Sequence, residues 1–307
     1  MRKKWLIAGT GFGIGAVMLV VGGLSAMANT SGYDAYKTAA KNLKAESSLT
    51  ANADLTITDN GKNVLSGTAN VKLNHAAGMA GSVAAAFNDG TNTQTLNVFC
   101  EEGKVIFKSS ADDVYRVMDH SGSGPQHEGD KPGMPKAAEQ VLDQLMGNMK
   151  GLATVENGLD GGKEASLHLS GSQIPAVVNA LGSLAVSPKN HDGSGWHRGG
   201  WNEDGKDGNP FFAASDLKVN MPKLVDDIKV EAVNLDAKIN PDNVLVGQTA
   251  EINVTGKDSS GNSHAVAIRL HVDFSGFNQT SPDRIDLTGK QTVPIQNQWS
   301  NRGGWHH

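Results

Sequence analysis

The sequence predicts an α+β protein built on one strongly curved antiparallel β-sheet, with helices covering the apolar face of that sheet. Three observations support this class: long segments of strict apolar/polar alternation, turn signals between them, and few segments with helical spacing. Antiparallel sheets with one wet face alternate in this way, whereas buried parallel strands are apolar throughout. A two-sheet sandwich would bury one face of each sheet equally well, and periodicity leaves that alternative open.

The N-terminus has the pattern of an export signal. A basic stretch at residues 2–4 precedes an uncharged run at residues 5–24, and the small-residue sequence Ala26-Met27-Ala28 follows. This order predicts a signal peptide over residues 1–28, and the length of the run leaves a retained membrane anchor as the alternative. Both interpretations place the remaining chain outside the cytoplasm, in the cell envelope or secreted. Because the only cysteine, Cys100, lies far from the cleavage site, there is no lipobox and we expect no lipid anchor.

The first half of the exported part predicts one helix and a six-stranded meander. Residues 33–44 have helical spacing, with tyrosine, alanine and leucine on one side. Residues 49–59 then alternate strictly between apolar and polar side chains, and Asn60-Gly61 is a strong hairpin signal before the return strand 65–73. Further strands are predicted at residues 79–87, 95–100, 104–108 and 114–118.

The second half predicts two more helices and a return to strands. A loop at residues 119–135 leads into an amphipathic helix at 136–149. Next come strands at 152–156 and 163–169, a helix at 176–184, and strands at 229–239, 249–255 and 265–274. Residues 187–215 are poor in hydrophobic side chains and predict a long exposed insertion. We therefore expect a single domain over residues 29–294 with this insertion, followed by a flexible Trp/His-rich tail at residues 295–307.

Charge and cysteine content exclude several classes of protein. The chain carries 27 basic and 32 acidic side chains, a net charge of -5, and has no basic block, which argues against nucleic acid as a partner. A single cysteine excludes a disulfide framework and a cysteine-based zinc ribbon.

Motifs for catalysis or metal binding are incomplete. There is no G-x-S-x-G nucleophile elbow, and His127-Glu128 lacks the second histidine of a zinc-protease motif. The acidic loop at residues 202–207 resembles a calcium loop, but Lys206 occupies a position where a further oxygen ligand is needed. We therefore assign no catalytic residue, no metal ligand and no cofactor, and predict that the chain is not an enzyme.

Two segments share an unusual composition. Trp196-His-Arg-Gly-Gly-Trp201 recurs in similar form as Asn301-Arg-Gly-Gly-Trp305-His-His307. Exposed Trp and Arg side chains can stack on sugars or lie at a membrane interface. The alternative is that both segments are flexible or pack against each other.

Four segments carry a resemblance to a known superfamily. They are Tyr33-Asp-Ala-Tyr-Lys-Thr-Ala39, Asp54-Leu-Thr-Ile-Thr-Asp-Asn-Gly61, Ser170-Gly-Ser-Gln-Ile-Pro-Ala-Val-Val178 and Thr249-Ala-Glu-Ile-Asn-Val-Thr-Gly256. In element order and strand patterning, residues 30–185 and 215–290 resemble the bacterial lipoprotein carriers and their relatives, the LolA-like and LppX-like proteins. More narrowly, the chain resembles exported proteins of Gram-positive bacteria.

This resemblance implies an incomplete barrel whose concave apolar face, lidded by helices, holds an acyl chain. The implied partners are an acyl chain or a lipoprotein, and the implied function is non-enzymatic lipid or lipoprotein binding by a monomer that can associate with the cell envelope. The insertion at 187–215 and the tail after Pro294 have no counterpart in the carriers. No charged residue matches a carrier's gating position, so none is transferred.

Alternation predicts which residues line the apolar groove. The predicted lining is Leu55, Ile57, Ala69, Leu73, Val83, Ala85, Ile252, Val254, Ile268 and Leu270. Each lies in phase on the unwetted face of its strand, and the small side chains among and beside them leave room for a ligand. A densely packed ordinary core is the competing interpretation. Under it, the chain would be a membrane-anchored extracytoplasmic interaction or sensor domain with the same fold and no lipid.

Overall fold

The computed structural model describes residues 32–76, 80–119, 150–174 and 221–295, and within them one α-helix and one twelve-stranded sheet. The helix α1 spans Gly32–Ala45. The strands are β1 Ser48–Asp59, β2 Lys62–Asn74, β3 Ala80–Asn88, β4 Thr93–Glu101, β5 Lys104–Ser109, β6 Tyr115–Asp119, β7 Ala153–Asn157, β8 Lys163–Ser170, β9 Asp226–Ile239, β10 Leu245–Lys257, β11 Ser263–Ser275 and β12 Thr292–Pro294. Short 3-10 turns lie at Lys150–Leu152 and Gly171–Gln173.

The strand order is β12-β6-β5-β4-β3-β2-β1-β11-β10-β9-β8-β7, with β12 and β7 at opposite edges. The sheet is therefore not closed into a barrel. Every neighbouring pair is antiparallel except β12 and β6, which run parallel. The predicted antiparallel sheet and first helix are thus confirmed. Residues 1–28, the predicted helices at 136–149 and 176–184, the insertion at 187–215 and the tail from residue 296 lie outside the described residues, so the predicted helical cover of the apolar face stays a prediction.

The β1–β2 hairpin forms where the Asn-Gly pair predicted it. Asn60 and Gly61 have φ angles of 49° and 76°, so both residues adopt the left-handed conformation of a two-residue hairpin turn. The Asn60 side chain also reaches the start of β11, where its Oδ1 accepts a bond of 3.0 Å from the backbone N–H of Ala265. Because residue 60 lies 205 positions from residue 265, this turn also joins the two halves of the sheet.

Helix α1 is amphipathic and packs on the apolar face of the sheet. Tyr33, Tyr36, Ala39, Ala40 and Leu43 are buried, and their spacing places them on one side of the helix. The helix contacts strands β7 to β10. It therefore covers one end of the apolar face.

After β11 the chain crosses the polar face of the sheet, a feature that alternation did not predict. We call residues 276–291 the strap. The strap bonds successively to β1, β2 and β3: the Thr280 backbone N–H donates to Ser48 Oγ at 3.0 Å, Asn74 Nδ2 donates to the Thr280 carbonyl at 2.9 Å, and the Asp283 backbone N–H donates to Ser82 Oγ at 2.9 Å. It then reaches β6 and continues into β12. The strap satisfies buried hydroxyl groups on this face, which would be costly to leave unpaired.

Candidate functional site

The strand register places aliphatic side chains side by side in the middle of the apolar face. In one row, Ile57, Ile268, Ile252 and Val233 lie next to one another on β1, β11, β10 and β9. In the adjacent row, Leu55, Leu270, Ala250 and Leu235 do the same. Residues opposite each other in antiparallel strands share a face, so these eight side chains form one continuous apolar surface.

Two packed clusters flank the middle of this surface. The α1 cluster contains, among others, Tyr36, Leu43, Ala53, Leu245 and Val272. The second cluster contains, among others, Ile57, Leu169, Leu224, Val254 and Val266. Leu235 packs against both clusters, so the two clusters meet along the central rows.

Between the clusters lies a less covered surface, which we call the aliphatic strip. It consists of Leu55, Val233, Leu235, Ala250, Ile252, Ile268 and Leu270. Ile252 is 41% exposed although its strand has neighbours on both sides, whereas the other members are partly buried. An exposed isoleucine on an interior strand of a sheet is unusual, because this side chain is normally covered. The strip therefore has free apolar surface for a further contact.

The ten predicted groove residues separate into three groups. Leu55, Ile252, Ile268 and Leu270 come together in the aliphatic strip. Ile57 and Val254 are closed into the second cluster, with 2% and 3% exposure. Ala69, Leu73 and Val83 pack against the α1 cluster, and Ala85 lies half-buried opposite Ala69. In this structure the strip joins four of the ten, of which Leu55 and Ile268 also pack against the second cluster and Leu270 against the α1 cluster.

A polar side chain lies at the α1 end of the strip. Gln248 is 3% exposed and points to the same face of β10 as Ala250 and Ile252. Its Oε1 accepts a hydrogen bond of 3.0 Å from the Tyr36 hydroxyl group, while its Nε2 has no partner. Burial raises the pKa of Tyr36 well above its usual value, so this hydroxyl stays protonated and can donate.

An open cleft of about 310 Å³ lies on the opposite, polar face of strands β8 to β11. Its lining is His168, Asn234, Asp236, Thr249, Glu251 and Arg269. Asp236 Oδ1 lies 2.8 Å from His168 Nε2 and accepts a bond of 2.8 Å from Ser166 Oγ. Sequence reasoning did not predict this cleft, because alternation says which face a residue occupies and not which residues of neighbouring strands lie opposite each other. The alternation of polar residues along each strand was the only available signal.

Beside this cleft, a hydroxyl group, an imidazole and a carboxylate form a chain of contacts. Thr249 Oγ1 lies 2.8 Å from His271 Nδ1, and His271 Nε2 lies 3.1 Å from Asp273 Oδ2. Such an order of groups can activate a nucleophile when the site is desolvated. Here the Asp273 side chain is 61% exposed, and the group lies on an open sheet surface. The arrangement therefore lacks the enclosed environment that this chemistry needs.

A second imidazole, His264, joins the two turns at one end of the sheet. Its Nδ1 lies 2.8 Å from Asp59 Oδ2 at the end of β1, and its Nε2 lies 3.5 Å from Asp258 Oδ2 in the β10–β11 turn. Asp59 and Asp258 raise the pKa of His264, Asp59 by the larger amount. The hydrogen bonds that Asn262 donates to Asp258 are the main cause that lowers the pKa of that carboxyl group to about 2.

We expect the His264 contact to make stability fall as the pH rises. A raised pKa means that the folded chain binds the proton more tightly, so the stabilisation is fully present below the unfolded value of 6.5 and is lost as the pH rises through the folded pKa. Thermal unfolding of the parent and His264→Gln between about pH 6 and pH 8 measures this: the advantage of the parent should shrink toward the higher pH.

His75→Gln provides a control with the opposite sign. Burial lowers the pKa of His75, so the stability of the parent relative to this variant should increase with pH. Equal pH slopes for the two variants would show that the Asp59 contact does not favour a charged His264.

Within the described ranges, no three His, Cys, Asp or Glu side chains are placed to hold a metal ion. A search of the same part of the chain finds no helix with the length and hydropathy of a membrane span. Cys100 is a free cysteine, and burial raises the pKa of its thiol. The Trp-rich segments at residues 196–201 and 301–307 lie outside the described residues.

No protein-family model matches the sequence, and no curated protein matches it. Among solved structures, the chain is similar to the crystal structure of LprF from Mycobacterium bovis, with 13% sequence identity. The match covers 84% of this chain and 98% of that chain, with a TM-score of 0.31. Because identity and TM-score are both this low, the likeness says nothing about what this chain binds, and the described site geometry has to support any function.

Proposed function

We propose that this chain is a non-enzymatic extracytoplasmic protein that binds a lipid, or the acyl chain of a lipoprotein, on the aliphatic strip. The observation that carries the proposal is the 41% exposure of Ile252 on an interior strand of a twelve-stranded sheet, within a strip made only of aliphatic side chains. Free apolar surface of this kind is typical of a ligand or interaction site. The export signal predicted at residues 1–28 supports the extracytoplasmic location.

The surface of the strip is uneven. Ala250 is a small residue between Leu270 on β11 and Leu235 on β9, so the surface dips at this position, whereas Ile252, the next residue on this face of β10, is exposed. A flexible acyl chain can follow such a surface.

The energetics of such a contact need no charged group. An acyl chain gains about 0.8 kcal/mol for each methylene that it buries. Each of the seven strip residues is aliphatic, so no carboxylate or ammonium group of the strip loses its water when the chain binds. A bound chain would also cover Ile252.

We expect Ile252→Glu to weaken binding of a pyrene-labelled alkyl ether about tenfold or more, because a buried carboxylate beside hydrocarbon costs several kcal/mol. The ether contains no carbonyl, so its binding reports mainly hydrocarbon burial. Binding is measured by pyrene fluorescence, and thermal unfolding checks that the variant folds. Because Ile252 is exposed in the unliganded chain, its replacement should cost little stability.

Val293→Glu is the matched control. Val293 is 44% exposed, also lies in a strand, and belongs to β12 at one edge of the sheet. The Val293→Glu variant should bind the ether as tightly as the parent does. Absence of ether binding by the parent, or equal loss in both variants, would contradict the proposal and favour an interaction or sensor domain without a lipid ligand.

A further inference from the structure

We propose that Gln248 is the polar anchor of the lipid site and bonds to the ester or amide carbonyl of a neutral acyl group. This inference rests on the proposed function, because it assigns the chemical class of the ligand on the same strip. The favoured ligand is an esterified or N-acylated lipid, and a free fatty acid is disfavoured.

The first support is an unsatisfied amide. Gln248 is buried to 3% exposure, and only its Oε1 has a partner, the hydroxyl of Tyr36 at 3.0 Å. Its Nε2 is a buried donor without an acceptor. Buried polar groups are almost always paired, so an unpaired donor at this depth indicates a group that binds there. Because Oε1 accepts the hydrogen bond from Tyr36, the amide is oriented so that Nε2 is the free donor.

The second support is the position of Gln248 relative to the strip. Gln248, Ala250 and Ile252 alternate along β10 onto one face, so Gln248 lies ~13 Å from the exposed isoleucine. On the β9 side its neighbours in the same row are small, Ala237 and Ala165, and on the β11 side it lies opposite the buried Val272. A chain that lies over Ala250 therefore comes to the amide at the α1 end of the strip.

The third support concerns charge. A carboxylate bound at Gln248 would lose its water among the alanines and Tyr36 of the α1 cluster. Among the described residues, the only hydrogen-bond partner of the Gln248 side chain is Tyr36, so no lysine or arginine is bonded there to compensate the charge. A neutral carbonyl accepts the same hydrogen bond from Nε2 without this desolvation cost. The site thus selects for a neutral acyl group.

The test compares two probes of equal length. One is a pyrene-labelled fatty-acid methyl ester, and the other is the alkyl ether in which a methylene replaces the carbonyl. We expect the full exported chain to bind the ester about three- to tenfold more tightly than the ether, the range of one hydrogen bond. Gln248→Met keeps the size of the side chain and should bind both probes with the affinity of the ether.

Gln94→Met is the matched control for this substitution. Gln94 on β4 also carries a buried side-chain oxygen without a partner, but this atom is an acceptor, and it lies three strands from Leu55 in the same row. This variant should keep the ester preference. Loss of the preference in both variants would overturn the assignment to Gln248.

The remaining outcomes separate this inference from the proposed function. If the parent binds ester and ether equally, Gln248 is not an anchor, while hydrocarbon binding stands. If the parent binds neither probe, both proposals fail. If Gln248→Met does not fold, the infrared carbonyl band of ¹³C-labelled ester bound to the parent decides: a shift to lower frequency than in hydrocarbon supports the bond, and an unshifted band overturns it.

Discussion

Leu245→Ala should lower the free energy of unfolding by about 2–5 kcal/mol, the range for truncating a buried leucine. Leu245 is the first residue of β10, is 0% exposed, and lies opposite Ile239 on β9 within the α1 cluster. Helix and sheet enclose the side chain, so the structure can relax only partly into the cavity. Urea unfolding, followed by circular dichroism, measures the change.

Leu152→Ala is the control for this truncation. Leu152 is 38% exposed at the end of a 3-10 turn, and its replacement removes the same atoms from a site open to solvent. The expected cost is well below that of the buried residue. A cost below about 1 kcal/mol for Leu245→Ala would show that α1 does not close this end of the apolar face.

Local patterns were enough to predict most of the strands. The segment 49–59 alternates without interruption, and the structure forms β1 over Ser48–Asp59. The Asn60-Gly61 pair closed the first hairpin as expected, since its positive φ angles are intrinsic to these two residue types. Both features depend on neighbours in sequence, which is why they could be predicted.

The order of strands could not be predicted from these patterns. β11 pairs with β1, so residue 57 meets residue 268 across most of the chain. Such a pairing depends on global packing, and alternation says only which face a residue occupies. The strap was missed for a related reason. Its bonds at Thr280 and Asp283 join irregular backbone to side chains of β1, β2 and β3, which leaves no periodic signal.

The sequence pattern predicted which face of the sheet the site residues occupy, but not how exposed each side chain is. Ile57 and Ile252 have the same phase, and both were assigned to one groove. In the structure Ile57 is 2% exposed and Ile252 is 41% exposed, because only Ile57 belongs to a packed cluster. Packing against side chains from other elements of the fold decides this difference in exposure. Gln248 was not predicted, because the predicted strand began at residue 249, whereas β10 begins at Leu245.

Gly162→Ala should destabilise the sheet by about 1–3 kcal/mol, the cost of overpacking an enclosed site. Gly162 precedes β8 and lies against the end of β9. A Cβ atom at this position would lie 2.4 Å from the carbonyl oxygen of Ile239 and 3.0 Å from Asp160 Oδ1. A backbone carbonyl cannot rotate away as a flexible side chain can, so the β7–β8 hairpin has to shift relative to β9. Thermal and urea unfolding measure the loss.

Gly151→Ala separates this clash from the general effect of replacing glycine. Gly151 lies in the 3-10 turn before β7, and a Cβ atom there would meet nothing within 4 Å. This control should be neutral or stabilising by up to about 1 kcal/mol, because alanine restricts the unfolded chain. The Gly162 variant should also lose part of the protection of β8 amides from hydrogen exchange, since Lys163 pairs with Ile239. Equal stability of the two variants would mean that the hairpin is not held tightly against β9. It would also mean that the α1 cluster, which rests on β8, tolerates movement of that strand beside Gln248.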